Sequence, residues 1–148
     1  MTSIRAVEES DRHSWERMRQ QLWPSAPGRH AKDIERFFSG QAAEPFAVLL
    51  ALDDGKTPIG FIELSIRAHA EGCVTQNVAF IEGWYTEEQS RRKGVGAALV
   101  AAAEDWARSQ GCVELASDTE VDNAESAAAH RAVGFVETAV VRCFKKDL

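Results

Sequence analysis

The segment from Val78 to Gln110 constrains this chain more than any other. Val78-Ala79-Phe80-Ile81-Glu82-Gly83-Trp84-Tyr85 is an apolar run of strand length. A polar loop, Glu87 to Lys93, follows and closes on Arg91-Arg92-Lys93. Gly94-Val95-Gly96 then opens a helix with Val95, Leu99, Ala103, Trp106 and Ala107 on one face, and Gly111 is its natural stop. A helix start carries unpaired N–H groups and a partial positive charge. Glycines let phosphate oxygens come close to such a backbone, and three cationic side chains strengthen the field. Strand, basic loop, Gly-x-Gly and helix together form a pyrophosphate site. A P-loop would need Gly-x-x-x-x-Gly-Lys-Ser/Thr, which is absent. A dinucleotide fingerprint would need glycine at 99, where the chain has Leu99.

The remaining elements follow from periodicity and turn chemistry. Ile4 to Val7 alternates as a short strand. Ser10 or Asp11 is a cap for a helix whose apolar face is Trp15, Met18 and Leu22, ended by Trp23-Pro24-Ser25-Ala26-Pro27-Gly28. Ala31 to Ser39 is a second short helix. Phe46 to Leu52 and Ile59 to Arg67 flank the turn Asp53-Asp54-Gly55, which is a hairpin signal. Ala68 to Asn77 is a polar loop, and Val113 to Ser117 is a strand. Asp122 or Asn123 caps a further helix ending at Gly134, and Phe135 to Lys145 is the expected last strand. The order β-α-α-β-β-β-α-β-α-β predicts one α+β domain over residues 1–148, a mixed central sheet with helices on both faces.

Bulk properties narrow the function. A chain of 148 residues with 45% hydrophobic and 27% charged residues holds a core without disulfides or metal. Three scattered cysteines, Cys73, Cys112 and Cys143, form no Cys-x-x-Cys pair and fit a reducing cytoplasm. Four scattered histidines have no metal-ligand spacing, so no metal is expected. No apolar run nears the roughly 20 residues of a membrane span, and the N-terminus lacks a secretory pattern. A net charge of −6 argues against nucleic acid and agrees with a cationic partner.

Arg91-Arg92-Lys93-Gly94-Val95-Gly96-Ala97 resembles the acetyl-CoA pyrophosphate loop of the GNAT superfamily of N-acetyltransferases, and the element order fits that fold along nearly the whole chain. The resemblance implies a GNAT-type acyl-CoA N-acyltransferase fold. It also implies acetyl-CoA as co-substrate, held by Trp84, Tyr85, Thr86, Arg91, Arg92, Lys93, Gly94, Val95, Gly96, Ala97 and Asn123. The chain looks most like the aminoglycoside 6′-N-acetyltransferases, through Leu22-Trp23-Pro24, Ile81-Glu82-Gly83 and Ala116-Ser117-Asp118-Thr119 with Asn123. His130 lies four residues before Gly134, where many relatives carry tyrosine. Glu82, Asp118 and His130 are the implied catalytic residues, and Trp23, Glu82 and Asp118 those facing the substrate. A homodimer is implied as well, with the last strand (Val140, Val141, Phe144) as an interface element.

The residues read on their own agree with this but leave choices open. A polycationic sugar needs carboxylates and flat surfaces, and Glu82 and Asp118 both end predicted strands beside the cofactor loop. Trp23 either stacks on a sugar or completes the core. Asp118 either holds an amine or caps a turn. His130 is either an acid or a polar residue on an exposed helix face. Glu82, inside an apolar run, is costly to bury without a partner. Two places depart from the subgroup: His69-Ala70-Glu71, where relatives often have an aromatic residue, and Glu137-Thr138-Ala139, where some have an acid. Both positions are implied to help hold the drug. Competing functions are acetylation of a polyamine or a protein N-terminus, and non-catalytic binding of CoA. Acetylation of a charged tRNA is disfavoured by the negative charge.

Overall fold

The central strands are apolar on both sides because helices cover both sides. The computed structural model describes residues Met1–Leu148. Its elements are β1 (Ser3–Ala6), α1 (Arg12–Leu22), α2 (Arg29–Phe38), β2 (Ala47–Leu52), β3 (Pro58–Arg67), β4 (Val78–Thr86), α3 (Val95–Ser109), β5 (Leu115–Ser117) and α4 (Ala124–Ala132). The five strands lie in the order β1-β2-β3-β4-β5. β1 to β4 form an antiparallel meander, and β5 joins β4 in parallel after the α3 crossover. No helix is long and apolar enough to cross a membrane.

On one face, Trp15 and Met18 of α1 and Ile34 of α2 pack on Val48, Leu50, Leu52, Phe61 and Tyr85. On the other, Val95, Leu99, Val100 and Ala103 of α3 pack on Ala51, Ile62, Leu64 and Ile81. Period 3.6 on the helices meets period 2 on the strands, which buries both sets together. Each fully buried aliphatic side chain contributes about 1.5–3 kcal/mol. Asn123 caps α4 as expected, its Oδ1 accepting the Ser126 N–H at 3.0 Å.

Two expectations are corrected. Phe135 to Lys145 is not a strand: nothing pairs with it, and Val136, Val140, Val141 and Phe144 are exposed. A strand exists through its ladder partner, and within one chain the three-residue β5 provides none here. Neither Ser10 nor Asp11 caps α1 through its side chain, because a short 3₁₀ turn, Glu9–Asp11, precedes that helix. The buried Asp11 carboxylate instead accepts Arg5 Nη1 and Nη2 (2.7 and 3.1 Å) and the Glu8 N–H (2.8 Å). It ties β1 to the start of α1.

The Arg5 guanidinium holds the Asp11 carboxyl below the usual carboxylate range. A depressed acid adds stability that is present above the ordinary value of about 3.9 and is lost as pH falls through the lowered one. Asp11→Asn is expected to cost about 1–2 kcal/mol at pH 7. In urea unfolding the gap to wild type closes as pH falls below the ordinary carboxylate value of about 3.9 and through the lowered one.

Candidate active site

The pairing of β3 with β4 slips by one residue at the centre of the sheet. Glu63 faces Gly83 and Leu64 faces Ile81, so Glu82 is the extra residue of a β-bulge. A bulge bends its strand and re-aims a side chain. Glu82 turns toward the α1/α2 face, where it accepts hydrogen bonds from Arg67 Nε and Nη2 (3.0 and 2.7 Å) and from the Ser65 hydroxyl. Arg67 lies on the Phe80 ring, 3.6 Å from its centroid. Beyond the bulge β4 also leaves β5: their last pair is Ile81 with Ser117. The β4 edge from Glu82 to Thr86 therefore has no partner strand on that side.

The basic loop and the start of α3 sit at this open edge. Gly94 has φ +83° and precedes the first helical turn, a conformation that glycine adopts without a Cβ penalty. The first helical bond runs from the Ala98 N–H to the Gly94 carbonyl, 3.0 Å, so the N–H groups of Val95, Gly96 and Ala97 have no helical acceptor. Arg91, Arg92 and Lys93 are exposed around them, and Arg91 Nε donates to the Thr86 carbonyl at 2.9 Å. Val95 is buried in the core. Gly96 lies under the Trp84 indole, which a Cβ there would meet at 3.2 Å. These donors and cations fit a pyrophosphate, and the free β4 edge fits an amide-bearing chain. Tyr85 differs from its neighbours. Its ring packs into the α1/α2 core, its hydroxyl faces Glu87 at 3.4 Å, and burial raises the phenol above its usual range. Only its backbone lies along the free β4 edge.

On the α1/α2 face the bulge opens into a cleft of ≈510 Å³. Its walls carry four carboxylates, Asp33, Glu44, Glu63 and Glu82, against two guanidiniums, Arg19 and Arg29. Trp23 lies over Gly83 so closely that a Cβ at 83 would come within 2.3 Å of the indole. Arg19 stacks on the Trp23 ring at 5.1 Å, and His30 Nε2 meets the Trp23 carbonyl at 2.8 Å. Trp23 is only partly buried, so it both packs on the core and lines the cleft. Glu63 is 2% exposed. It accepts the Trp15 indole N–H at 3.0 Å and lies 2.8 Å from Arg19 Nε, yet burial pushes its carboxyl upward.

Glu82 and Trp23 thus share one cleft. Asp118 is exposed just beyond β5 and acts electrostatically on Arg67. Asn123 is used as the α4 cap. His130 lies on the other side of the fork, its ring 5.1 Å from Trp84 and 5.4 Å from Phe135. Its Nδ1 donates to the Ser126 carbonyl (2.7 Å) and its Nε2 accepts from the Ser117 hydroxyl (2.8 Å). Nδ1 is thus spent within α4, and Nε2 joins α4 to β5. Glu63, Arg67 and Glu44 belong to the site but were not read from the sequence. Glu63 carried a usable signal, a carboxylate in the apolar run Phe61-Ile62-Glu63-Leu64.

A sheet forked at a bulge, with an anion cradle on one side and an acidic cleft on the other, defines a transferase that joins a phosphate-bearing donor to a cationic acceptor. Residues 12–135 match the acetyltransferase (GNAT) family. An aminoglycoside N(6')-acetyltransferase type 1 from Klebsiella aerogenes is 52% identical over 98% of this chain and 96% of its own. A second, from Stenotrophomonas maltophilia, is 40% identical over 99% and 94%. Among solved structures, aminoglycoside 6'-N-acetyltransferase AAC(6')-Ih from Acinetobacter baumannii superimposes with TM-score 0.91 at 35% identity, covering 100% and 99% of the two chains. AAC(6')-Iy in complex with the bisubstrate analog CoA-S-monomethyl-acetylneamine gives TM-score 0.91 at 34% identity, with the same coverage. The chain belongs to the GNAT acetyltransferase family and, within it, to the aminoglycoside N(6')-acetyltransferases.

Gly83→Ala places a methyl where the Trp23 ring lies. We expect the KM for the acceptor amine to rise about five- to tenfold, the scale of one lost aromatic contact. The KM for acetyl-CoA should stay unchanged, which steady-state kinetics with each substrate varied will check.

Proposed function

We propose that this enzyme transfers the acetyl group of acetyl-CoA to the 6′-amine of aminoglycosides, and so confers resistance to them. The observation that carries the reading is the acidic cleft opening at the Glu82 bulge, beside the free β4 edge and the α3 cradle. Acetyl-CoA supplies an acetyl thioester. The unpaired N–H groups of Val95, Gly96 and Ala97, with Arg91, Arg92 and Lys93, hold its phosphates, and Asn123 flanks them. The free β4 backbone from Trp84 to Thr86 takes the rest of the cofactor and presents an N–H to the developing oxyanion. Trp23 stacks on a sugar ring, and Glu82 and Asp118 draw the ammonium groups in.

Glu82 accepts the proton of the attacking amine, directly or through one water. A thiol with a pKa near 8.5, by analogy with cysteine, leaves without an obligatory acid. His130 enters this scheme through Ser117, whose hydroxyl it orients at the fork. The cytoplasm, where Cys73, Cys112 and Cys143 stay thiols, is the setting that goes with this reading. We also propose a homodimer. Val136, Val140, Val141 and Phe144 stand exposed on a tail without a ladder partner, and a second copy covers them at little cost.

Glu82→Gln is expected to lower kcat about 100-fold, within the range for a lost general base. Asp118→Asn should raise the KM for the drug about tenfold, and His130→Asn should lower kcat less than tenfold. Thiol release from acetyl-CoA, with kanamycin or a 6′-hydroxyl analogue as acceptor, reads all three. Calorimetric binding of acetyl-CoA should not change in Glu82→Gln or Asp118→Asn. Release without a 6′-amine, or with polyamines alone, would reassign the acceptor. For the dimer, light scattering behind gel filtration should give twice the chain mass for wild type, and the chain mass after Val140→Asp with Phe144→Ser.

A further inference from the structure

We propose that Arg67 is a fixed counter-ion of the acceptor site, which weakens the basicity of the amine bound beside Glu82 and so sets the pH at which that amine becomes a nucleophile. The inference rests on the reading of Glu82 as the group next to the reacting amine. An acidic cleft gathers a polycation, but every carboxylate in it also stabilises the protonated amine. Only the neutral amine can form the new C–N bond. A site made of carboxylates alone therefore works against its own chemistry. A permanent cation on the same carboxylate offsets that field.

Arg67 has the right properties for this. A guanidinium does not lose its proton in a protein. Two hydrogen bonds to Glu82, at 3.0 and 2.7 Å, and the Phe80 ring at 3.6 Å hold it in one place. The Ser65 hydroxyl, on the same Glu82 oxygen as Arg67 Nε, fixes the carboxylate from β3. Other charges face the pair from every neighbouring element. Glu44 lies in the loop before β2, and Asp118 follows β5; both act on Arg67. Glu63 on β3 is already paired with Arg19 of α1, and Arg19 with Asp33 of α2. His69 and Glu71, 3.7 Å apart, face each other in the loop after β3. Glu44, Glu82 and Asp118 thus remain, with the exposed Arg29 at the start of α2 on the cleft wall, and Arg67 is the cation hydrogen-bonded to Glu82 among them.

A unit charge about 6 Å from the amine moves its pKa by about two units at an effective dielectric constant of about 20. Solvent at this partly open site reduces the effect to about one unit. The test measures kcat and KM against pH, at constant ionic strength and saturating acetyl-CoA, for wild type, Arg67→Lys, Arg67→Gln and Arg67→Met. Calorimetric binding of acetyl-CoA certifies each fold, and Arg67→Gln keeps a hydrogen bond to Glu82 without the charge. In Arg67→Gln and Arg67→Met the ascending limb of kcat should move up by about one pH unit, which lowers kcat about tenfold below it. KM for the drug should fall in the same variants, because the ammonium is held more tightly. Arg67→Lys should keep the limb near its wild-type place. A second acceptor with a less basic amine should carry the limb down in every variant, which assigns it to the amine and not to Glu82. A limb that stays put in the neutral variants while KM rises, or one that ignores the acceptor, overturns the role of Arg67. A wild-type enzyme that releases no CoA with any 6′-amine overturns the functional reading itself.

Discussion

The single extra residue in β4 is the constraint on which this molecule depends. Ala79 and Ile81 face α3, so the alternation of β4 puts Glu82 on the α1/α2 face; without the slip between Glu63/Gly83 and Leu64/Ile81 it would then send Gly83 to the α3 face and Trp84 to the α1/α2 face. With the slip, Glu82 and Gly83 both turn to the α1/α2 face, while Trp84 turns to the α3 face over Gly96. The same bend ends the pairing with β5 at Ile81. One local irregularity therefore keeps Glu82 and Gly83 on one face, clears a bed for Trp23 and goes with a free β4 backbone edge.

The acceptor cleft is stabilised by charges that are paired before any ligand arrives. Glu63 and Arg19 are both nearly buried, and each would be costly alone. Trp15, Arg19 and Asp33 make them a chain of partners running from the core to the cleft wall. Arg19 also carries Trp23 on its face. The floor of the cleft is thus set by the same contacts that hold α1 and α2 to the sheet. Removing either member of the Glu63–Arg19 pair would leave an uncompensated buried charge, whereas Glu82, Arg67 and Asp118 sit nearer solvent and tolerate change better.

Much of this was legible in the sequence. The β2–β3 hairpin, β4 and α3 declare themselves by periodicity and punctuation, and the Gly94 start of α3 by composition. Glu82 was legible because a carboxylate in an apolar strand requires a reason. The bulge that gives the reason was not, since it depends on how two strands register. Asp11 has the composition of a cap but serves Arg5, a partner six residues away that only folding brings near. Tyr85 has the spacing of a cofactor contact, yet its ring faces the opposite side from Trp84. The tail from Phe135 to Lys145 has the β-branched and aromatic composition of a strand, but composition alone does not make one. The ladder partner must come from elsewhere, and this chain does not hold one.

The donor and acceptor halves of the site are built from different materials. In the proposed scheme the cofactor cradle consists mainly of backbone, namely three N–H groups at a helix start and one strand edge, so it depends on the fold and on few side chains. The acceptor cleft consists of side chains from five separate segments and can be altered piecemeal. The two departures from the subgroup pattern illustrate this. Gly72, next to His69-Ala70-Glu71, lies against Thr138, and the Thr138 hydroxyl donates to the Glu71 carbonyl at 3.2 Å. The two loops that lack the usual aromatic and acidic residues touch each other. A Cβ at position 72 would come within 2.4 Å of the Thr138 side chain, so none can be added there unless Thr138 moves. In the proposed reading, acceptor preference depends on how these two loops meet as well as on the individual residues.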